Sequence, residues 1–350
     1  MNLSKNFPIY VFGTGAFGRD VAHALVTQGY DVKGFISNTE ASSEIDNVSV
    51  YRWDELGISS DKQILIAILN PNFALSMFLA QARACNAEKV FMPWDFYGYI
   101  EDLLGWRFWL KDRAFLSGYQ KHINDVLPLL HDDISQNCLT DVFKFRTGNL
   151  LDYSHFIHEE FQFFNRLTLN APREISGSLY VAAYHCENLR ELEAHLPLRM
   201  AMLFEPDRQN FQTIVRNHKN FVTKNIHFLP MAVSDQNTFV SFNGSGSESS
   251  GISPTGETKI LCVRLDDVVP RDEKIDFIKM DVEGAELSVL RGAKTVIEAN
   301  KPVLAISLYH NWDDLWTIPN YFQDVHKGYN LLIRQHMKNS FELVLYAVPR

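Results

Sequence analysis

The chain has 350 residues, and at roughly 150 residues per domain that length predicts two domains rather than one. Apolar residues make up 46% and charged residues 21%, with 25 Phe, 13 Tyr and 6 Trp, which excludes general disorder and a fibrous repeat and supplies ample core material. Lys and Arg number 33 against 42 Asp and Glu, and a net charge of -9 argues against nucleic acid or an anionic membrane surface as partner.

Four cysteines, Cys85, Cys138, Cys186 and Cys262, are far apart and form no CxxC and no zinc-type spacing, so free thiols in a reducing compartment are expected. The N-terminal MNLSKNFPIYVFG does not read as a signal peptide, because its short apolar stretch runs straight into a glycine turn. No run approaches the ~18 apolar residues of a membrane span, and LLGWRFWL (103–110) carries Arg107. A cytoplasmic protein is expected.

In chain order, IYVF (9–12) is a strand followed by GTGAFG and a helix over Arg19 to Gln28. Strands follow at Asp31 to Ile36, near Val50 and at QILIAIL (63–69), then a helix from Pro71 to Cys85 and a strand at Lys89 to Met92. Such alternation means a parallel α/β sheet, so residues 1–96 read as a small Rossmann-like domain. Residues 97–175 read as a helical connector with breaks near Gly105, Gly118 and Pro128, and a helix restart at LLHDDIS (129–135).

A second α/β pattern occupies 176–350. Its strands are expected at Leu179 to Ala183, Met200 to Phe204, Ile226 to Val233, Thr238 to Phe242, Lys259 to Arg264, Ile275 to Met280 and Pro302 to Leu308. A helix at Leu315 to Val325 precedes two last strands, Tyr329 to Gln335 and Phe341 to Val348, with Met337 to Ser340 as a hairpin turn. An α/β sheet that ends on a hairpin resembles the methyltransferase variant of the Rossmann sheet, whose last strand inserts antiparallel. The Gly/Ser-rich stretch 243–258 reads as an intradomain loop, either a flexible connection or a lid over a ligand.

Two motifs are candidates for chemistry. Gly13-Thr14-Gly15-Ala16-Phe17-Gly18 follows a strand and opens a helix, the context of a dinucleotide fingerprint. The next strand ends Ile36-Ser37-Asn38 with only a loosely placed Glu40 for ribose hydroxyls, so NAD(P), another nucleotide or phosphate, and a purely structural turn all stay open. In the second motif, the apolar strand DFIKM delivers Asp281 and Glu283 of DVEGAE to its carboxyl end, where ligands of open α/β sheets bind. A pair of helix-capping carboxylates is the plainer alternative.

Several segments, in order, resemble the FkbM-type S-adenosylmethionine-dependent methyltransferases. The most specific is IDFIKMDVEGAELSVLRGA (275–293), joined by LFEPD (203–207), PMAVSD (230–235), LDDV (265–268), YHNWDDLWTIPNYF (309–322) and FELVLYAVP (341–349). Upstream, LLHDDIS and FKFRTGN (143–149) resemble the connector of a two-domain subgroup that carries a small Rossmann-like domain in front. The resemblance implies an α/β fold with a class I methyltransferase domain, S-adenosyl-L-methionine as cofactor, Glu205 on its ribose hydroxyls, and Ala232 and Asp235 in the segment bordering its adenine. It extends the cofactor site to Tyr184, Pro206 and Asp281.

One departure stands out. The family's first strand ends in an acid and a glycine-rich loop, roughly D-G-G-A-x-x-G. Aligned on Ala183-Tyr184, this chain has Tyr180, Val181, Ala182 and Cys186 in place of the acid and the three glycines. Side chains there are expected to crowd the methionine part of the cofactor.

Methyl transfer to oxygen needs a positioned acceptor and a group that takes its proton. Asp281 and Glu283 are candidates, as is His310 at the end of the strand through Leu308, either as general base or as a hydrogen-bonded structural histidine. His336 reads as structural, no residue set points to a metal, and Trp312, Trp316 and Tyr321 read as core, or as walls of an acceptor pocket. Three functions follow from these signals. The first is an O-methyltransferase acting on a sugar or similar hydroxylated small molecule. The others are a catalytically silent binding protein of the same fold and an enzyme working through GTGAFG with a nucleotide.

Overall fold

The computed structural model describes residues 2–38, 44–57, 61–152, 161–169, 175–244, 251–252 and 256–350. The chain divides into two units. The first comprises Met1–Asn124, Asn137–Phe156 and Met337–Phe341, and the second Asp125–Gln136, Ile157–His336 and Glu342–Arg350. The stretch expected as a connector therefore contributes to both. Glu40 and most of the Gly/Ser-rich loop lie outside the described residues, so the ribose acid and the lid are not located.

In the first unit, strands β1 (Ile9–Phe12), β2 (Val32–Ile36), β3 (Glu44–Ile45), β4 (Val48–Tyr51), β5 (Gln63–Ile66) and β6 (Lys89–Phe91) form a sheet in the order β3-β4-β2-β1-β5-β6. All pairings are parallel except β3 with β4. All four residues of QILI are buried, as a central parallel strand covered on both faces requires. The helix Ala16–Thr27 starts within GTGAFG, and a Cβ on Gly18 would lie 2.0 Å from the Gly13 carbonyl oxygen. Close helix packing thus accounts for Gly18 without a ligand, whereas a Cβ on Gly15 would meet open space.

The four residues Met337 to Ser340, expected as a hairpin turn, belong to a longer loop whose middle forms part of the first unit. Asn339 donates to the carbonyls of Asn70 and Phe73 at 2.6 Å each. Its Oδ1 accepts the Leu75 N–H at 3.1 Å. The helix Leu75–Ala84 has no side-chain cap of its own, so an asparagine 264 residues away supplies one.

The second unit holds β7 (Ile175–Val181), β8 (Leu198–Phe204), β9 (Asn225–Leu229), β10 (Ala232–Val233), β11 (Thr238–Asn243), β12 (Gly251–Ile252), β13 (Thr258–Val263), β14 (Phe277–Met280), β15 (Val303–Ser307), β16 (Tyr329–Gln335) and β17 (Leu343–Pro349). The main sheet runs β16-β17-β15-β14-β7-β8-β9. Strands β7, β8, β9, β14 and β15 are parallel, and β17 inserts antiparallel between β15 and β16. This is the α/β sheet ending in an antiparallel hairpin that the sequence predicted. Leu203, Tyr180, Phe277 and Tyr346 share a buried cluster with Leu189 and Leu192 of the helix Glu187–His195.

One expected strand, Ile226 to Val233, is two. Pro230 lacks the N–H a central strand needs, and beyond it Ala232–Val233 pairs with β13 in a separate sheet, β10-β13-β11-β12. The segment bearing Ala232 and Asp235 therefore stands beside the main sheet rather than in it.

Among the described residues, no helix is long and apolar enough to cross a membrane. Cys138, Cys186 and Cys262 are buried free thiols, and Cys85 is half-buried.

Candidate active site

Parallel strands bring their carboxyl ends to one edge of the main sheet, and the residues singled out in the sequence collect there. Glu205 follows β8, Tyr184 lies in the loop after β7, Asp281 and Glu283 follow β14, and His310 follows β15.

The loop after β7 keeps a glycine-type backbone without glycines. Ala182, Tyr184 and Cys186 have φ of 59°, 50° and 60°. Left-handed backbone at an L-residue costs about 1 kcal/mol, so the turn's shape is held by its surroundings. Tyr184 stacks on His185 with centroids 4.0 Å apart. Burial pushes the Cys186 thiol up to about 12, which leaves it inert as a nucleophile.

Glu205 is only 4% exposed. Its two oxygens accept the backbone N–H groups of Tyr184 at 2.8 Å and of Asp207 at 2.9 Å. Burial nonetheless pushes its carboxyl up to about 7, against the pull of those two bonds. Asp207 caps the helix Arg208–Asn217, accepting from Gln209 and Asn210. Pro206 between them is half-buried, and the half-buried Asp235 accepts a bond from Ser234 Oγ at 3.3 Å.

Asp281 and Glu283 do not cap a helix. The helix Glu286–Gly292 begins three residues after Glu283, with Ala285 at its cap position, and Glu283 itself has φ of 53°. A residue the sequence did not flag, Glu286, takes the first helical position. Glu286 is fully buried and accepts the Val282 N–H at 2.9 Å.

His310 is fully buried with Nδ1 2.7 Å from Glu286 Oε1. Its Nε2 lies 3.6 Å from both Asp281 Oδ1 and Glu283 Oε1. Burial works against its charge, but Glu286 and Glu283 overcome it and raise its affinity for a proton well above the usual value. An imidazolium held between carboxylates does not serve as a general base near neutral pH, so the geometry favours the structural alternative for His310.

Burial also acts on the carboxylates, with different results. Asp281 is desolvated, yet Lys279, His310 and the Ser307 hydroxyl outweigh that and hold its carboxyl below the usual range. Ser307 Oγ donates to Asp281 Oδ1 at 2.7 Å, and Tyr309 Oη lies 3.2 Å from the same oxygen. Glu283 is raised, by burial first and then by Asp281 and Glu286, and its buried Oε2 has no hydrogen-bond partner among the described residues. Burial likewise raises Asp314, beside Glu286, and Glu342, which faces Asp281 across Tyr309.

Among the described residues, no group of three or more His, Cys, Asp or Glu is arranged to hold a metal ion. Lys279, Glu286, Tyr309, Asp314 and Glu342 were missed by sequence reasoning. The signal for Lys279 was a charge inside an otherwise apolar strand, at a position buried to 4% exposure. Trp316 packs in the core and meets Trp312 edge-on at 5.4 Å. Tyr321 donates to the Leu290 carbonyl, and His336 Nε2 lies 2.6 Å from Tyr346 Oη.

Comparison with known proteins bears on what this edge does. Residues 176–338 match the family described as the Methyltransferase FkbM domain. No curated protein matches the chain. Among solved structures, it is similar to methyltransferase FkbM from Methylobacillus flagellatus KT, at 20% identity and a TM-score of 0.79, over 98% of this chain and 90% of that one. That likeness is one of fold. Much weaker similarities are to an rRNA methylase from Streptococcus thermophilus (12% identity, TM-score 0.34, 52% of this chain and 91% of that one). A putative methyltransferase from Streptococcus mutans, solved in complex with SAH, gives 12% identity and a TM-score of 0.33 over 50% of this chain and 89% of that one. Residues 176–338 are thus similar to the FkbM methyltransferase domain, and the whole chain shares the fold of a solved methyltransferase FkbM.

Proposed function

We propose that this chain is an S-adenosylmethionine-dependent O-methyltransferase whose acceptor is a hydroxyl of a sugar or similar small molecule. The observation that carries the reading is Glu205. It is a buried carboxylate at the tip of the second strand, and its two backbone bonds leave lone pairs that fit the paired hydroxyls of a ribose. A diol donating two bonds there would relieve the desolvation that now raises its carboxyl. Ala232, Asp235, Pro206 and Tyr184 would border the nucleoside.

When bound, S-adenosylmethionine supplies an electrophilic methyl group on a sulfonium. Glu283 is the residue we assign to take the acceptor's proton. It is partly exposed, and burial raises its affinity for a proton. Asp281 stays ionised on Ser307 and Lys279 and would orient the hydroxyl. His310 keeps its own proton, and with Glu286 it fixes the two carboxylates in place. A second reading, a catalytically silent binding protein, is favoured by Tyr180, Val181, Ala182 and Cys186, whose side chains stand where glycines and an acid are expected.

Calorimetric titration with S-adenosylmethionine and S-adenosylhomocysteine, with Glu205→Ala as control, tests the proposal. Micromolar binding lost in the variant supports it. No binding at millimolar ligand refutes it.

A further inference from the structure

We infer that Lys279 stands in for the ligand's own ammonium. Recognition of 5′-thioadenosine ligands then resides in the nucleoside end, and the amino-acid end is not selected. The inference rests on the cofactor reading above and concerns the specificity of the same site.

Sheet order fixes the path such a ligand takes. Strands β8, β7 and β14 are neighbours. With about 4.8 Å between strands, a ribose on Glu205 and a reacting centre at Asp281 and Glu283 are roughly 10 Å apart. The ligand between them must cross the loop after β7. Acceptors for a cation on that path are the Ala182 carbonyl and the Asp281 carboxylate. Lys279 Nζ already holds both, at 3.0 Å from Ala182 O and 3.3 Å from Asp281 Oδ2. It also lies over the Phe163 ring at 4.9 Å.

A second ammonium at the same acceptors would meet the like charge of Lys279, which already holds both. Tyr180, buried at 1% exposure, occupies the end of β7 where an acid could answer a positive charge. Ala182 and Cys186, on left-handed backbone, stand where the loop is expected to carry glycine, although Cys186 packs into the core cluster.

The test is titration of the full wild-type chain with S-adenosylhomocysteine, 5′-methylthioadenosine and adenosine. The expected result is that S-adenosylhomocysteine and 5′-methylthioadenosine bind within tenfold of each other. A preference for S-adenosylhomocysteine greater than tenfold overturns the inference. In Lys279→Met the freed acceptors should raise that preference at least tenfold, with adenosine affinity unchanged, while Lys279→Arg should keep the wild-type ratio. An unchanged ratio in folded Lys279→Met also overturns it. Should the variant fail to fold, the wild-type series decides alone. If none of the three ligands binds at millimolar concentration, the cofactor reading itself falls and the inference with it. Loss of adenosine binding distinguishes that case.

Discussion

Glu205→Gln isolates the most consequential group at the site. In the native chain this carboxyl is raised to about 7 from its ordinary 4.5, because burial penalises the anion more than two backbone N–H groups repay it. At ~1.36 kcal/mol per unit, that shift corresponds to about 3 kcal/mol of folding stability. The native state keeps a proton that the unfolded chain has already released. Stability from this group is therefore complete below about pH 4.5, falls as pH rises, and levels off above about pH 7. Glutamine removes the titration. It also turns an amide N–H toward one of the two backbone donors, a pH-independent cost of about 1–2 kcal/mol. The informative quantity is consequently the slope rather than the offset. In urea unfolding from pH 4.5 to 8 the wild-type stability should fall by about 3 kcal/mol relative to that of the variant, so that the two curves cross. Parallel curves would refute the argument that Glu205 is an under-compensated buried acid. If a ribose then donates to it, nucleoside binding should tighten as pH rises through 7.

Four other substitutions test separate parts of the structure. Gly292→Ala puts a Cβ 2.0 Å from the Ser234 carbonyl oxygen and 3.2 Å from Asp235 Cα, so a loss of about 1–3 kcal/mol in denaturant unfolding is expected. Ala182→Gly relieves left-handed backbone at φ 59° and should raise stability by up to about 1 kcal/mol, and a loss instead would mean the side chain is needed there. His310→Gln leaves the buried Glu286 without its charged partner and should cost about 3–5 kcal/mol, while in wild type the His310 imidazole should stay protonated by NMR through neutral pH. For Asp132, burial is outweighed by Arg334 Nη2 at 2.6 Å and by Ser135, which lower its carboxyl to about 2. Its stabilisation is present above about pH 4 and lost as pH falls toward 2, and Asp132→Asn should cost about 1–2 kcal/mol at pH 7, allowing for its partial exposure.

The strands were legible because apolar periodicity is a local property. QILI and DFIKM could only be covered strands, and in a parallel sheet their carboxyl ends necessarily share an edge. That alone placed Glu205, Asp281, Glu283 and His310 together. Boundaries failed where a single residue intervened, as Pro230 did in splitting Ile226 to Val233. Met337 to Ser340 do lie in the turn of the β16–β17 hairpin, but their second role, in which Asn339 caps the helix that starts at Leu75, involves a partner 264 residues away and was not legible.

Only the tertiary structure decided protonation. Sequence spacing cannot tell that Glu286 and His310, 24 residues apart, meet at 2.7 Å in a fully buried pocket. It cannot tell that Lys279 turns its ammonium onto Ala182, 97 residues earlier. Whether a carboxylate is an acid, a base or an anchor depends on the water removed around it and on the charges that replace it. Both are set by long-range packing, so the sequence determined which groups reach the edge of the sheet, and the fold determined what each of them can do there.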